Sequence, residues 1–338
     1  MEILDLALAG EVNRDSKGSV LINEMPEIRV GKRNPYMVGH FINQGCSAEF
    51  KIWEERTYKT VLDNGPGIYD VEVTGSEYNG YYLTVRRIQP CTDPSLERSD
   101  FLPSIPVKQL NAMWKLAFRE LRKLGLSEEA IGLAREIVND PELEGRYSRE
   151  GAASFHHDNR IGGLAHHSAK MLRILAAVIG NLPPLRKSID LLFLGVVLHD
   201  IGKVFEYKDL AISEFWFSNH RARGIEFLAK YKERICKLYD EKFYRHLQAI
   251  IIGHHGDYGD RPTTVATGII HYIDTLESQA TGLVERQIEG RENENIRVPD
   301  WGYLAPVDLA GELYSTEAAL LADEESEERA ETLENAGQ

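Results

Sequence analysis

The middle third of the chain carries seven side chains that suit one metal centre, and all of them are histidines or aspartates. They are His167, His199, Asp200, His220, His254, His255 and Asp274. Imidazole and carboxylate ligands favour manganese, iron, zinc or magnesium, and a carboxylate held between histidines can bridge two ions. Two metal ions a few ångströms apart activate water and clamp the leaving oxygen during in-line attack on phosphorus. These residue types therefore predict a phosphodiester hydrolase.

The first ligand is predicted to lie on the buried stripe of a helix. After Gly163, apolar residues recur at spacings of three and four, and His167 falls among them. His166 instead falls beside Lys170 and Arg173, on the stripe that carries charge. We therefore expect His167 to point inward as a ligand and His166 to lie with the charged residues.

The central pair of the cluster follows an apolar helix. Residues 188–198 contain almost no polar side chains, which predicts a buried central helix, and His199-Asp200 ends it. Burying a histidine–aspartate pair costs several kcal/mol unless a metal ion or a charged partner compensates it. Gly202 is predicted to act as the C-terminal cap of this helix. Lys203 is predicted to project at the mouth of the site, where it could bind a substrate phosphate.

The last ligand lies on a polar stripe of the helix predicted for residues 264–288. Thr267, His271, Asp274 and Ser278 share that stripe, because residues three or four apart lie on one helix face. Taken alone, the stripe fits a solvated helix face equally well. Asp274 is assigned to the metal because the rest of the cluster requires a partner.

The surrounding pattern predicts an α+β protein with two domains. Short segments rich in β-branched and aromatic residues fill residues 25–90, and Asn79-Gly80 between two of them indicates a hairpin. From residue 107 onward the pattern becomes helical, so an N-terminal small barrel or sandwich is followed by an all-α domain. The predicted limits are a β-domain at 1–90 (core about 25–90), a linker and helical extension at 91–150, the metal domain at 151–290 and a C-terminal segment at 291–338.

Composition and charge bear on the cellular compartment and on the kind of substrate. The three cysteines are far apart with no CxxC motif, which favours a reducing cytoplasm over a disulfide framework. No apolar run reaches the roughly 18 residues needed to span a bilayer, so no membrane association is predicted. The net charge of −14 opposes a polyanionic substrate, but residues 317–335 hold eight acids against one arginine and so carry half of that charge. This tail is predicted to be solvated.

The motifs together resemble the HD-domain metal-dependent phosphohydrolases, and within them the YhaM-type 3′-5′ exoribonucleases. The resemblance runs from about residue 27 to 290. The pieces that carry it are Phe101-Leu-Pro-Ser104, Ala153-Ser-Phe-His-His157, Gly162-Gly-Leu164, His199-Asp200, Gly253-His-His-Gly256 and His271-Tyr-Ile-Asp-Thr-Leu276. It implies an OB-like β-barrel followed by an HD helical bundle, which agrees with the β-then-α division.

The resemblance also assigns roles to the seven residues. It implies one metal ion held by His167, His199, Asp200 and Asp274. Asp200 would bridge to a second ion held by His220 and His254, with His255 as a further candidate. Manganese is the first choice for the two divalent ions, with iron, magnesium and zinc as alternatives. Asp200 and Lys203 are the predicted catalytic residues.

Single-stranded RNA is the predicted partner, with DNA as an alternative. The resemblance implies that the β-domain binds such a strand by stacking bases on aromatic rings, and Tyr81 or Tyr82 is expected to face outward because side chains alternate along a strand. Other candidate substrate contacts are Lys203, Arg221, Arg223, His156 and His157, although the two histidines fit helix capping equally well. Homo-oligomer formation is left open.

Two other functions compete with a metal-dependent 3′-5′ exoribonuclease. The first is an HD hydrolase of free or cyclic nucleotides, which would leave oligonucleotides intact. The second is a nucleic-acid-binding protein with a structural metal and no catalysis. A closed structural site has four ligands and no open position, whereas this chain offers seven candidates and a nearby lysine.

Overall fold

The chain divides into two units, Met1–Ser104 and Ile105–Gln338. The computed structural model describes residues 3–31, 34–44, 46–152, 159–214, 216–289, 295–298 and 301–309. His156, His157 and the acidic tail lie outside these described residues. Strands dominate residues 15–90 and helices dominate the second unit, so the predicted α+β class with its β-then-α order is confirmed.

The first unit is built on a six-stranded sheet and two helices. The strands are β1 (Asp15–Ile22), β2 (Glu27–Val30), β3 (Pro35–Asn43), β4 (Cys46–Ile52), β5 (Gly67–Glu77) and β6 (Tyr81–Pro90), and the helices are α1 (Ile3–Leu8) and α2 (Glu55–Asn64). Their order in the sheet is β1-β5-β6-β4-β3-β2. Strand β1 also pairs with β3, with Leu21 opposite Ile42, so that five strands close into a small barrel.

Most pairings in this sheet are antiparallel, and β4 with β6 is the parallel exception among the described strands. The predicted Asn79-Gly80 hairpin is confirmed between β5 and β6, and both residues have positive φ (53° and 116°). An Asn-Gly turn suits this geometry because its backbone matches the twist of the flanking strands. The barrel core includes Phe41 and Phe50, whose rings stack at 4.2 Å.

The segment after β6 belongs with the sheet unit. Phe101 and Leu102 are buried, and the backbone amide of Gln44 donates a hydrogen bond to the carbonyl of Phe101 at 2.8 Å. The structural division falls after Ser104, within the segment that was predicted as linker and helical extension. The helical extension, by contrast, belongs to the second unit.

The second unit is mainly helical. Its helices are α3 (Val107–Lys123), α4 (Glu128–Val138), α5 (Gly163–Asn181), α6 (Ile189–Leu198), α7 (Lys203–Glu206), α8 (His220–Ala229), α9 (Lys232–Leu238), α10 (Glu241–Gly253) and α11 (Val265–Glu289). Two short hairpins accompany them, β7 (Tyr207–Lys208) with β8 (Ala211–Ile212), and β9 (Ile296–Val298) with β10 (Gly302–Leu304). The predicted helical character of this unit is confirmed, and these hairpins of two or three residues per strand are additions to it.

Helix α6 is the centre of this unit, as its apolar sequence predicted. Nearly every residue from Ile189 to Leu198 is buried, and the helix packs against α4, α5, α10 and α11. Because α6 is surrounded, the residues at its C-terminal end are delivered into the interior. Among the described residues, no helix has both the length and the apolar character needed to cross a membrane.

Candidate metal centre

The end of α6 carries His199 and Asp200 into a buried cluster. His199 is fully buried and Asp200 is 3% exposed. The chain turns directly after them at Gly202, which has an ordinary helical φ of −69°. A Cβ atom on Gly202 would lie only 1.7 Å from the carbonyl oxygen of His220. The predicted capping role is therefore wrong, because this glycine is needed for the close approach of α8, which begins with His220.

Asp200 is the hub of the cluster. Its Oδ1 lies 3.3 Å from Nε2 of His254 and 3.7 Å from Nε2 of His220. Its Oδ2 lies 3.2 Å from Nε2 of His199 and 2.7 Å from Nζ of Lys203. One carboxylate thus faces three imidazoles that come from α6, α8 and the end of α10.

A second carboxylate closes the other side of the cluster. His167 on α5 places its Nε2 3.2 Å from Oδ1 of Asp274 on α11. The ring centroids of His167 and His199 are 5.4 Å apart. Sets of ligand atoms within 4.8 Å of one another are formed by Asp200-His220-His254-His255, by His167-His199-Asp200 and by His199-His254-Asp274. The structure therefore brings together all seven residues that the sequence predicted.

Acceptor groups hold the rings of four of these histidines in one orientation. Nδ1 of His199 donates a hydrogen bond to the carbonyl of Val196 (2.7 Å), and Nδ1 of His254 donates one to the carbonyl of Ile251 (3.0 Å). A carbonyl oxygen can only accept, so Nδ1 carries the proton and Nε2 keeps its lone pair. In His220, Nδ1 contacts Glu206 at 2.8 Å, and in His167, Nδ1 contacts Glu277. This is the arrangement that fixes metal-binding histidines.

Three buried polar atoms at the centre of the cluster have no hydrogen-bond partner among the described residues. They are Nε2 of His199, Oδ1 of Asp200 and Nε2 of His254. Leaving one buried acceptor unsatisfied costs about 1–3 kcal/mol, so three at one point need a common partner. A cation satisfies all three, since each atom offers a lone pair. The histidine and carboxylate donors therefore fit a divalent metal ion of the transition series.

The electrostatics of the cluster also favour a cation. Burial would raise the pKa of Asp200, but its neighbours, above all the positive charge of Lys203, hold the pKa well below its usual range. Burial lowers the pKa of His255 to about 3 and also lowers that of His254. These directions leave the carboxylate ionised and the two histidines neutral, which are the protonation states that bind metal.

His167 differs from His254 and His255 in its charge. Burial lowers its pKa, but Glu277 and Asp274 more than offset this and raise the pKa to about 10. The pair of carboxylates therefore stabilises a positive charge at this position, and a metal ion bound by Nε2 would have to displace a proton.

Lys203 lies elsewhere than the sequence suggested, and the two predicted arginines contact neighbouring acidic side chains. The ammonium of Lys203 is largely buried between Asp200 and the carbonyl of Ala152 (2.5 Å), so the expectation that it projects at the mouth is wrong. Arg221 donates to the carbonyl of Ile252 and to Asp260, both at 3.0 Å. Arg223 pairs with Glu226 and lies over the ring of Phe205.

The predicted aromatic contacts in the barrel are not on its surface. Tyr82 is 9% exposed and lies under the ammonium of Lys51, 3.7 Å from the ring centroid. Tyr81 is half-buried, packs against the barrel core and donates to the carbonyl of Glu11. The two rings alternate as expected, but the expectation of an exposed ring is wrong, because Lys51 covers Tyr82 and Tyr81 packs against the barrel core.

Sequence reasoning missed three residues that support the centre. Glu277 and Glu206 hold the rings of His167 and His220, as described above. Nδ1 of His271 donates a hydrogen bond to the carbonyl of His254 at 2.6 Å. The ring of His271 also lies against Gly256, where an added Cβ atom would be only 2.4 Å from the ring. Glu277 had a detectable signal, since it lies three residues after Asp274 and therefore on the same face of α11.

Helix α5 provides a paired test of two adjacent histidines. His166 is 4% exposed, so its predicted position on a charged face is wrong. We expect His167→Ala to lose metal and activity, because it removes a ligand. His166→Ala should keep its metal content and instead lower the free energy of unfolding by about 1–3 kcal/mol, because it deletes a buried side chain. Metal analysis and thermal melts of both variants would separate these effects, and metal loss in His166→Ala alone would show that the two roles are reversed.

Comparison with known proteins agrees with this site. Residues 164–279 match the HD domain family. The 3′-5′ exoribonuclease YhaM of Bacillus subtilis (strain 168) is 25% identical over 292 residues, which cover 82% of this chain and 89% of that protein. The 3′-5′ exoribonuclease YhaM of Bacillus licheniformis is 26% identical over 272 residues, which cover 75% of this chain and 82% of the relative. The resemblance inferred from the motifs is confirmed, and the matched domain with its buried cluster supports a metal-dependent hydrolase.

Proposed function

We propose that this protein is a metal-dependent exoribonuclease that removes nucleotides from the 3′ end of single-stranded RNA. The observation that carries the proposal is the convergence of three partnerless buried atoms, from His199, Asp200 and His254, inside a cluster of histidines and carboxylates. The two relatives reported above share most of their length with this chain, and their names supply the specific reaction.

Two divalent ions fit the distribution of ligands. His167, His199, Asp200 and Asp274 would hold one ion. Asp200, His220 and His254 would hold the other, with His255 in reach because its Nε2 lies 3.0 Å from that of His220. Ions bound there supply a nucleophilic water at neutral pH and polarise the phosphoryl oxygens. Manganese is our first choice, because the donors are imidazole and carboxylate without thiolate.

Lys203 contributes charge to the reaction from inside the site. Burial lowers its pKa, but the adjacent carboxylate of Asp200 outweighs burial and the net pKa lies above its ordinary value. The lysine therefore stays protonated, and its ammonium can stabilise negative charge that develops on a phosphoryl group in the transition state. Arg221 and Arg223 remain candidates for binding the substrate backbone farther from Asp200.

The first unit fits the role of a clamp for single strands. A five-stranded ring with a parallel β4–β6 pair, and with α2 between β4 and β5, has the connectivity of an OB-fold. Tyr36 and Trp53 stack at 4.6 Å, and the indole of Trp53 is 48% exposed. Arg29 lies opposite Tyr36 on the neighbouring strand. We therefore assign base stacking to Tyr36 and Trp53, in the role first given to Tyr81 and Tyr82.

The proposed domain limits follow from the assignment of strand binding to the first unit and hydrolysis to the second. Residues 1–104 form the strand-binding unit, and residues 105–150 extend the helical unit ahead of the HD domain. The HD domain then ends near residue 290, and the remaining segment carries the acidic tail. A cytoplasmic location and the formation of homo-oligomers stay predictions.

The reaction and its direction can be tested in one assay. Full-length protein is incubated with single-stranded RNA labelled at the 5′ or the 3′ end, in manganese, magnesium, iron, zinc or EDTA. We expect the 5′ label to give a ladder of shortening products and the 3′ label to appear at once as a mononucleotide. EDTA should stop both reactions.

Circular single-stranded RNA is the matched control, because it offers the same phosphodiester bonds without an end. Cleavage of the circle would contradict an exonuclease. Intact oligomers together with hydrolysis of free or cyclic nucleotides would instead favour the nucleotide-hydrolase function. Single-stranded DNA of the same sequence measures the preference for RNA.

A further inference from the structure

The chain between α7 and α8 carries adjacent aromatic side chains on its surface. Trp216 is 55% exposed and Phe217 is 71% exposed, and both lie on a 3-10 turn formed by Trp216–Ser218. Two exposed aromatic residues that are consecutive in the sequence keep a large apolar area in water. We define Trp216 and Phe217 as the aromatic turn.

The aromatic turn is fixed in place by backbone hydrogen bonds at both ends. The amide of Trp216 donates to the carbonyl of Ser213 (3.3 Å), and the amide of Asn219 donates to the carbonyl of Trp216 (3.4 Å). The side chain of Asn219 then accepts the amide of Arg221 and begins α8. The rings are therefore carried by a defined piece of backbone instead of a free loop.

The same segment is tied to the metal centre. His220 lies three residues after Phe217, and its Nδ1 contacts Glu206 at 2.8 Å. The amide of Ser213, which precedes the turn, donates to the carbonyl of Glu206 at 2.8 Å. The 3-10 turn packs against both α7 and α8, which carry Lys203 and His220.

Strained backbone supports this position. Asp209 and Leu210, in the turn between β7 and β8, both have positive φ (48° and 62°), and Asn219 does too (58°). Aspartate and asparagine tolerate this conformation, but it is costly for leucine and persists where the surroundings enforce it. Here the buried carboxylate of Glu150 accepts the amides of Asp209 and Leu210, at 3.3 and 3.4 Å. The hairpin that leads into the aromatic turn is therefore held by a carboxylate inside the protein.

We propose that Trp216 and Phe217 form a stacking platform for a nucleobase of the substrate strand at the metal centre. The inference rests on the proposed function, and it adds a base-binding site within the helical unit that is separate from the barrel. The four residues from Trp216 to His220 span at most about 14 Å of backbone. This distance corresponds to one or two nucleotides of a single strand. Every base has a π-face, so such a platform binds a strand without selecting its sequence.

Point variants of the full-length protein test the platform. Trp216→Ala and Phe217→Ala should each raise KM for single-stranded RNA by about 5- to 150-fold, the range expected for loss of one stacking contact. Trp216→Phe and Phe217→Tyr should restore most of the affinity. Trp301→Ala is the matched control, because Trp301 is 64% exposed and lies outside the segment; this variant should keep the wild-type KM.

A substrate that lacks bases near its 3′ end shows whether stacking is the cause. On RNA with abasic residues at the last three positions, Trp216→Ala and Phe217→Ala should cleave like the wild type. An equal defect on abasic and normal ends, or no defect in either variant while wild-type protein degrades RNA, would overturn the platform.

Tryptophan fluorescence separates this proposal from the proposed function. In EDTA, where no hydrolysis occurs, single-stranded RNA should quench emission in the wild type and in Trp301→Ala, and the quenching should fall in Trp216→Ala. If that quenching is seen but no RNA is cleaved with any metal, the exoribonuclease function fails and the platform stands. If RNA is cleaved and Trp216→Ala loses no quenching, the platform fails and the function stands.

Discussion

Asp200→Ala is expected to abolish hydrolysis, with turnover at least about a thousandfold below wild type, or roughly 4 kcal/mol of transition-state stabilisation. Its carboxylate faces the Nε2 atoms of three histidines and is shared between both proposed ions. In the proposed assignment of ligands, Asp200 is the residue common to both ions. Metal content should fall in parallel with activity.

The fold should survive this change, since α6 is held by apolar packing. The variant also removes the ion-pair partner of the largely buried Lys203, so Asp200→Asn is a useful second variant that preserves shape. Asp257→Ala is the control, because that side chain is 91% exposed. Circular dichroism, metal analysis and single-turnover rates would check the three variants. A folded Asp200→Ala protein with more than a tenth of wild-type turnover would rule out the bridging role.

Deletion of residues 1–104 is expected to separate strand binding from hydrolysis. The barrel and the second unit each have their own buried core. Deletion of the chain up to Ser104 therefore leaves all seven proposed metal ligands and their supporting residues in place. Stacking contributes about 1–3 kcal/mol per base, and two rings are available at Tyr36 and Trp53. The shortened protein should bind a long single strand at least about tenfold more weakly, yet cleave a dinucleotide at a similar rate.

Fluorescence anisotropy with a labelled 30-nucleotide strand and a dinucleotide assay would measure the two effects. Tyr36→Ala combined with Trp53→Ala in the full chain is the corresponding point variant, with Tyr78→Ala as an exposed aromatic control on the hairpin turn. Unchanged affinity for the long strand after deletion would exclude the barrel as the clamp and favour hydrolysis of free nucleotides.

The cluster of histidines and aspartates could be predicted because burial of such polar groups is costly without a partner. A histidine–aspartate pair at the end of the apolar α6 has few explanations other than an ion. The supporting residues were harder to find. Glu206 and Gly256 act through contacts with residues far along the chain, and no local spacing reveals such a contact before the helices are packed.

The wrong predictions share one physical cause. Helical and strand periodicity identify opposite faces, but do not say whether both faces are covered. The first turns of α5 are buried on every side, so His166 is buried beside His167. Tyr81 and Tyr82 alternate on β6 as expected, yet Lys51 covers one ring and the barrel core receives the other. Lys203 was expected at the surface, and the carboxylate of Asp200 holds it inside.

The wide spacing of the ligands has a consequence for how the chain folds. They are carried by α5, α6, α8, α10 and α11, and these helices meet only in the native state. Each proposed cation, held by ligands from three of these helices, would therefore act as a reversible cross-link that is absent from the denatured ensemble. By mass action, a free metal concentration one hundred times its Kd adds about 2.7 kcal/mol to the unfolding free energy. The supply of that metal would then govern the abundance of the folded protein as well as its rate of turnover.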